Sequence, residues 1–246
     1  MKTCNTEALV LKSNPYSDAD RLLTLFTWEK GKVSGIAKGA RKTSSKLASG
    51  VDLFTHSHFS LYRGKSLYTV TQAQVKEKFS AFHDEPLRYA YAAYFAELVR
   101  KLLVEEEPAP EIARLLLYSW RYLDRQGGDD LLARFFELKL LHWEGSSPQL
   151  KECVKCLQRG SLKYFSVKAG GMVCQTCGRD GKDVFSISPG TASLIDFLKE
   201  SSLQNLPRLK ASNRQLKELK KINLSFLEYH LEIPPGTSLK FLQSLK

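Results

Sequence analysis

This sequence predicts a multidomain α+β chain: a five-stranded N-terminal β-barrel, then an α-helical domain with an inserted four-cysteine ribbon. Three observations lead there. Positions 1–80 hold five short runs rich in β-branched and aromatic residues, bounded by turn residues. From Glu85 onward apolar residues recur at i, i+3 and i+4, the spacing of helices. Within that helical stretch stand two cysteine pairs, Cys153-x2-Cys156 and Cys174-x2-Cys177, separated by Leu157 to Val173. A chain of 246 residues can bury real cores in one or two domains, here expected at 1–80 and 81–246.

The strands are expected at Glu7–Lys12, Leu22–Trp28, Lys32–Lys38, Phe54–Tyr62 and Ser66–Glu77. Asn14-Pro15, Glu29-Lys30-Gly31 and Arg63-Gly64-Lys65 punctuate them. Five short strands in a segment of this length is the count of an OB-fold barrel, a frequent reader of single-stranded nucleic acid; an SH3-like barrel has a similar count. Cys4 reads as a small buried residue of the first strand. His56 and His58 share a strand face with no cysteine or paired carboxylate nearby, and read as ordinary strand residues.

The helices follow in order. Leu87, Tyr91, Tyr94, Phe95, Leu98 and Leu102 mark the first. The run Glu105-Glu106-Glu107-Pro108 breaks the chain and reads as a solvated turn. Ile112, Leu115, Leu116 and Leu123 mark the second, ended by Gly127-Gly128. Asp129-Asp130 opens the third, where acidic residues suit the helix dipole; Leu132, Phe135, Phe136, Leu140 and Trp143 form its buried face. Beyond the cysteines, Ser188-Pro189 reads as an N-cap with Pro at N1, and Ser212-x-x-Gln215 as a capping box. All these helices are expected to pack as one domain.

The cysteine spacing is that of a structural zinc site, at about residues 150–182. Two residues between cysteines let one tight turn aim both sulfurs at a single ion. Tyr164-Phe165-Ser166-Val167 and Gly170-Gly171 read as a strand and turn, returning into the second pair. Gly160 and Gly178 suit tight knuckle turns. One Zn2+ held by Cys153, Cys156, Cys174 and Cys177 is coordinatively closed, so it holds a fold and performs no chemistry. Two redox pairs are the competing reading, but neither knuckle shows the strand-then-helix surroundings such chemistry uses. No basic and apolar leader opens the sequence and no apolar run is long enough to span a bilayer, so a cytoplasmic protein without disulfides is expected.

Net charge is +11, unevenly spread: +7 over residues 1–80, −4 over 81–146 and +8 over 147–246. Two basic ends around an acidic middle suggest a polyanion, nucleic acid first. The densest stretch carries Lys38, Arg41, Lys42 and Lys46 with no acid among them, the composition of a loop that follows phosphates. Arg63 and Lys65 stand at an expected hairpin tip. Phe54, Phe59, Tyr62 and Tyr68 are stacking candidates, with barrel core as the ordinary alternative. Lys210, Arg214, Lys217, Lys220 and Lys221 form a second basic group, a DNA or partner contact or a plain solvated helix face. Catalytic patterns are lacking. Gly64-Lys65-Ser66 imitates the end of a phosphate-binding loop, but position 59 is Phe rather than Gly.

The ordered residues resemble the RecO family of bacterial recombination mediators. Pro15-Tyr16-Ser17-Asp18-Ala19-Asp20 with Leu23-Thr24-Leu25-Phe26-Thr27 resembles the family's opening, and Gly35-Ile36-Ala37-Lys38-Gly39-Ala40-Arg41-Lys42 its basic segment. Phe135-Phe136-Glu137-Leu138-Lys139-Leu140-Leu141, Gly145 and Pro148 lead into the cysteine pairs, the most specific stretch. The resemblance implies an OB domain, a helical domain and a zinc site. It also implies binding and annealing of single- and double-stranded DNA. The partners it implies are RecR, the tail of single-strand binding protein and, indirectly, RecA. Lys38, Arg41 and Lys42 match the family's basic residues by segment. A stand-alone zinc-ribbon regulator of RNA or DNA is the alternative function.

Overall fold

The structure, a computed structural model, describes residues 3–160, 162–179, 181 and 183–246. The expected end of the ribbon, residue 182, lies outside this set. Strands β1 (Thr3–Tyr16), β2 (Asp20–Thr27), β3 (Gly31–Ala37), β4 (Thr55–Arg63) and β5 (Tyr68–Lys78) close a barrel in the order β1-β2-β3-β5-β4. β4 returns to pair with β1, and only β3 and β5 run parallel. This is the expected OB architecture. Alternation decides what fills it: Ala8, Val10, Leu23, Leu25, Val33, Phe59, Leu61 and Val70 all point inward. Cys4 packs half-buried against this core rather than inside it.

Two local expectations change. β1 continues through Asn14-Pro15, with Pro15 opposite Arg21, and the turn falls on Ser17 at φ +54°. Proline is tolerated there because the strand is about to end. His56 does have a carboxylate: its Nε2 lies 3.0 Å from Glu7 Oε2, and its ring stacks on Trp28 at 5.3 Å. Burial holds its pKa below the ordinary histidine value, against the opposing pull of the Glu7 carboxylate.

Two compact units make up the chain: residues 1–127 with 237–246, and residues 128–236. The first holds the barrel with α1 (Ala81–Asp84), α2 (Pro86–Leu102), α3 (Pro110–Gln126) and α8 (Thr237–Ser244). Helices therefore occur in both units. The barrel is tied to its helices by Phe54, which is buried just before β4. Its ring meets Phe82, Tyr89 and Trp120 edge-on at 5.6, 5.3 and 5.5 Å. α8, which the apolar pattern did not reveal, docks on α2, where Ser238 N–H donates to Glu97 Oε2 at 2.9 Å.

The acidic run after α2 is an exposed turn, as expected, and it also pairs with a strand edge. β3 pairs with β5 only at Gly35–Tyr68 and Ile36–Thr69, which leaves the first half of β3 with an open edge. Residues 105–107 fill it as a strap: Lys32 pairs in parallel with Glu105, and Glu106 N–H donates to Lys32 O at 2.9 Å. An unpaired buried backbone edge is costly, so chain from elsewhere satisfies it. Gly31 allows the crossing. A Cβ there would lie 1.8 Å from the Glu107 carbonyl oxygen, and its φ of +64° also suits glycine.

The second unit holds α4 (Asp130–Trp143), β6 (Leu162–Ser166), β7 (Gly171–Cys174), α5 (Gln175–Gly178), β8 (Val184–Ser186), α6 (Pro189–Glu200) and α7 (Asn213–His230). The expected caps form. Leu132 N–H donates to Asp129 Oδ1 at 2.8 Å, Thr191 N–H to Ser188 Oγ at 3.2 Å, and Ser212 with Gln215 closes a full capping box. α4 and α7 are joined by a buried polar group: Arg134 pairs with Glu137, and Asn223 Nδ2 donates to Glu137 Oε2 at 3.1 Å. Trp143, expected on a buried face, is 38% exposed, because the apolar stripe of α4 ends with the helix.

Glu218 of α7 anchors the start of α6. Its Oε2 accepts from Ser188 N–H at 2.8 Å, and from the hydroxyls of Ser188 and Thr191; its Oε1 accepts from Arg214 Nε at 2.8 Å. Burial pushes this carboxyl upward, but the bonds from Thr191, Ser188 and Arg214 outweigh it and bring it down to about 2. A depressed carboxylate stabilises the fold above its unfolded pKa and loses that contribution as pH falls toward the folded one. Glu218→Gln is expected to cost on the order of 2 kcal/mol at pH 7. In urea melts the gap between variant and wild type should narrow between pH 4.5 and pH 2. A gap that stays constant over that range would refute the assignment.

Candidate metal centre and nucleic-acid interface

Two sites can be built from the residues upward, one in each unit. In the second unit, the stretch between the cysteine pairs folds as expected into β6, a turn and β7; β8 adds a third strand in the order β7-β6-β8. β7 delivers Cys174, and Cys177 follows one turn later in α5. The first pair lies in a tight turn in which Leu157 N–H donates to Cys153 O at 2.8 Å and Cys153 N–H to Gln158 O at 3.0 Å. Val154 N–H bonds Met172 O at 2.9 Å and fastens this turn to β7. The four sulfurs lie within 4.8 Å of one another.

Glycine plays a different role at the second knuckle from the one expected. Gly178 is needed for space: a Cβ there would meet the Tyr164 ring at about 3.0 Å. At the first knuckle Gly160 takes a positive φ of +117°, as expected, and Leu157 is left-handed as well, at φ +61°. The second knuckle also sits at a strand-to-helix junction, contrary to expectation, since Cys174 ends β7 and caps α5. That helix is a single turn, and all four sulfurs converge on one point.

An ion with about 2.3 Å metal–sulfur bonds in a tetrahedron spaces its ligands about 3.8 Å apart. The Cys156 and Cys174 sulfurs are 3.8 Å apart. The residues therefore fit a closed tetrathiolate. Burial tends to raise the Cys153 thiol, but backbone N–H groups of Cys174, Cys156 and Lys155 lower it to about 6. The neighbouring sulfurs of Cys174 and Cys156 push Cys177 up to about 12. A bound cation would draw the protons from the whole cluster.

In the first unit, the loop after β3 carries Lys38, Arg41, Lys42 and Lys46, all exposed. It is fastened to the β1–β2 turn: Gly39 N–H donates to Asp20 Oδ1 at 2.8 Å, Arg41 N–H to Ala19 O at 2.8 Å, and Arg41 Nη1 to Ser17 O at 2.7 Å. Among the described residues, none of these four cations pairs with a carboxylate. Other barrel cations do: Arg21 and Lys78 with Asp52, Lys32 with Glu105, and Lys76 with Glu7.

The candidate residues differ in what they touch. Lys38 follows the last residue of β3, whereas Arg63 ends β4 and pairs with Glu106, which is bonded to Lys32 near the start of β3. Arg63 stands opposite Tyr68, which pairs with Gly35 of β3. Lys65 is exposed and free of carboxylates among the described residues. Of the aromatic candidates, Phe54, Phe59 and Tyr68 are buried and only Tyr62 is open, at 40%. In the second basic group Arg214 is bound to Glu218, and Lys221 lies 3.9 Å from the Phe185 ring centroid.

Sequence reasoning missed the partners of Arg63. Arg63 Nη2 donates to Glu106 Oε2 at 3.0 Å, and Tyr68 O–H donates to Glu106 Oε1 at 3.0 Å. Burial, then the bond to that carboxylate, hold the Tyr68 phenol above its ordinary value. The one available signal was the acidic run itself, beside so many cations.

Residues 1–79 match the family model described as "Recombination protein O N terminal", and residues 83–239 match "Recombination protein O C terminal". A protein of Acetivibrio thermocellus named DNA repair protein RecO is 33% identical over 250 aligned positions, covering 100% of this chain and 98% of the relative. The protein of that name from Heliobacterium modesticaldum is 38% identical, covering 89% of this chain and 82% of its own length. That from Alkaliphilus metalliredigens is 34% identical, covering 98% of each.

Proposed function

Since this chain belongs to the RecO family, we propose that it is a mediator of DNA repair and homologous recombination. It binds single- and double-stranded DNA and anneals complementary strands. With RecR it promotes loading of RecA onto strands coated by single-strand binding protein. The observation that carries the reading is the loop Lys38–Lys46. Four exposed cations on an OB barrel, free of carboxylate partners among the described residues, are ready for phosphates.

Annealing needs no covalent chemistry, and the chain acts here as a binding protein rather than an enzyme. It needs cations that neutralise two polyanions and hold them close. One structural Zn2+ on Cys153, Cys156, Cys174 and Cys177 shapes the ribbon and leaves DNA contact to the barrel. The division into a barrel, 1–80, and a helical domain, 81–246, is part of the proposal: DNA on the first, protein partners on the second. The acidic tail of single-strand binding protein suits the net charge of +8 over residues 147–246. The proposed setting is the cytoplasm, at the nucleoid. No helix among the described residues is long and apolar enough to cross a membrane.

The test combines two assays on the full chain. Complementary oligonucleotides should anneal faster with the protein than without it. The immobilised acidic tail peptide should retain the protein, and a scrambled neutral peptide should not. Failure in both assays would overturn the reading.

A further inference from the structure

We propose that Arg63 and Tyr68 form a phosphate-binding site on the barrel that the chain's own Glu106 occupies, so that nucleic acid must displace this carboxylate to use the site. The inference rests on the reading of the barrel as the DNA-binding surface, and adds to it a site and a built-in competitor.

The geometry is that of a bound oxyanion. Each oxygen of Glu106 takes one donor: Arg63 Nη2 at 3.0 Å on Oε2, and Tyr68 O–H at 3.0 Å on Oε1. The donors brace each other, with Arg63 Nη1 3.3 Å from the Tyr68 hydroxyl and the guanidinium carbon 5.7 Å from the ring centroid. A phosphodiester presents two anionic oxygens to such a pair of donors much as a carboxylate does. Tyr68 is buried and starts β5 next to Gly35 of β3, so the site has a rigid floor.

The side chain of Glu106 can leave without unfolding the strap. The strap's backbone is held by the Lys32–Glu105 pairing, by the Glu106 N–H bond to Lys32 O, and by close packing of Gly31 on Glu107. None of these uses the Glu106 carboxylate. The Arg63 and Glu106 side chains are 58% and 41% exposed, so the pair is open to solvent and to a competing anion. Lys65, exposed at the same hairpin tip, gives a polyanion a second cation that one carboxylate cannot engage. The backbone of Glu106 adds an independent sign. Its φ is +58°, a left-handed conformation that a side chain occupies at a cost, and strain of this kind gathers at functional positions.

The experiment measures fluorescence anisotropy of a labelled oligothymidylate titrated with the full chain at several salt concentrations. Glu106→Gln should bind about three- to tenfold tighter at low salt, with the log K against log salt slope steeper by about 0.7, the value of one added single-strand phosphate contact. Glu106→Gly, which also relieves the left-handed backbone, should show the same gain. Arg63→Ala added to Glu106→Gln should erase the gain, because it removes the cation that the freed site offers to phosphate. Glu107→Gln removes the same charge nearby and should gain less than about twofold. If neither Glu106 variant binds tighter, if the gain survives Arg63→Ala, or if Glu107→Gln gains as much, the site is refuted. Joint replacement of Lys38, Arg41 and Lys42 in the same assay separates the two readings. Weakened binding there beside unchanged Glu106 variants sinks only this inference; unchanged binding there sinks the barrel reading itself.

Discussion

Replacing Lys38, Arg41 and Lys42 together with alanine is expected to weaken single-stranded DNA binding about a hundredfold at about 0.1 M salt. Each single-strand phosphate contact contributes about 0.7 to the slope of log K against log salt, so three contacts contribute about 2, and about two decades at that salt. The salt slope should flatten by the same amount. Thermal stability should change little. The three side chains are exposed; the variant loses the surface bond of Arg41 Nη1 to Ser17 O but keeps the backbone bonds of Gly39 to Asp20 and of Arg41 to Ala19. Titration of a labelled oligonucleotide at four salt concentrations decides the matter. Equal affinity and equal slope would remove the loop from the interface. The contrast with Arg21, Lys32, Lys76 and Lys78 sharpens the test. Those barrel cations are committed to carboxylates, and alanine at any of them should shift the slope by less than one contact.

Cys153→Ser should act on the other unit and in another way. Cys153 is fully buried and its sulfur lies in the four-thiol cluster, so serine removes one of four ligands from a closed site. Metal binding in such small ribbons is coupled to folding, and a broken set loses most of it. Even a loss of about 3 kcal/mol would lower the melting transition of a unit this size by roughly 10 °C or more. Metal analysis should find about one zinc per chain in the wild type and far less in the variant. A strong chelator should reproduce the shift in the wild type. DNA affinity should fall less than about threefold, since the basic loop is in the other unit. An unaltered melting temperature with full zinc content would contradict the structural role. Four accessible thiols without metal would revive the redox alternative.

The readable parts of this chain share a short range. Runs rich in β-branched and aromatic residues between turn residues placed the barrel strands, because both signals act within a few residues of the chain. Asp129, Ser188 and the Ser212–Gln215 box announced helix starts because a cap bonds its own helix three residues on. The cysteine pairs announced their cluster because each knuckle is one local turn. Expectations failed where a residue's surroundings come from far along the chain. His56 meets Glu7 across 49 residues, and Arg63 meets Glu106 across 43.

The barrel, the helices other than α8, the four-sulfur cluster and the list of cations were thus written in local sequence. Which of those cations are free was settled by the tertiary fold. Composition counts charges but does not pair them, and pairing depends on which strand edge the closing barrel leaves open. Here the open edge of β3 drew in Glu105 and Glu106, tied up Lys32 and Arg63, and left Lys38, Arg41, Lys42 and Lys46 without carboxylate partners among the described residues.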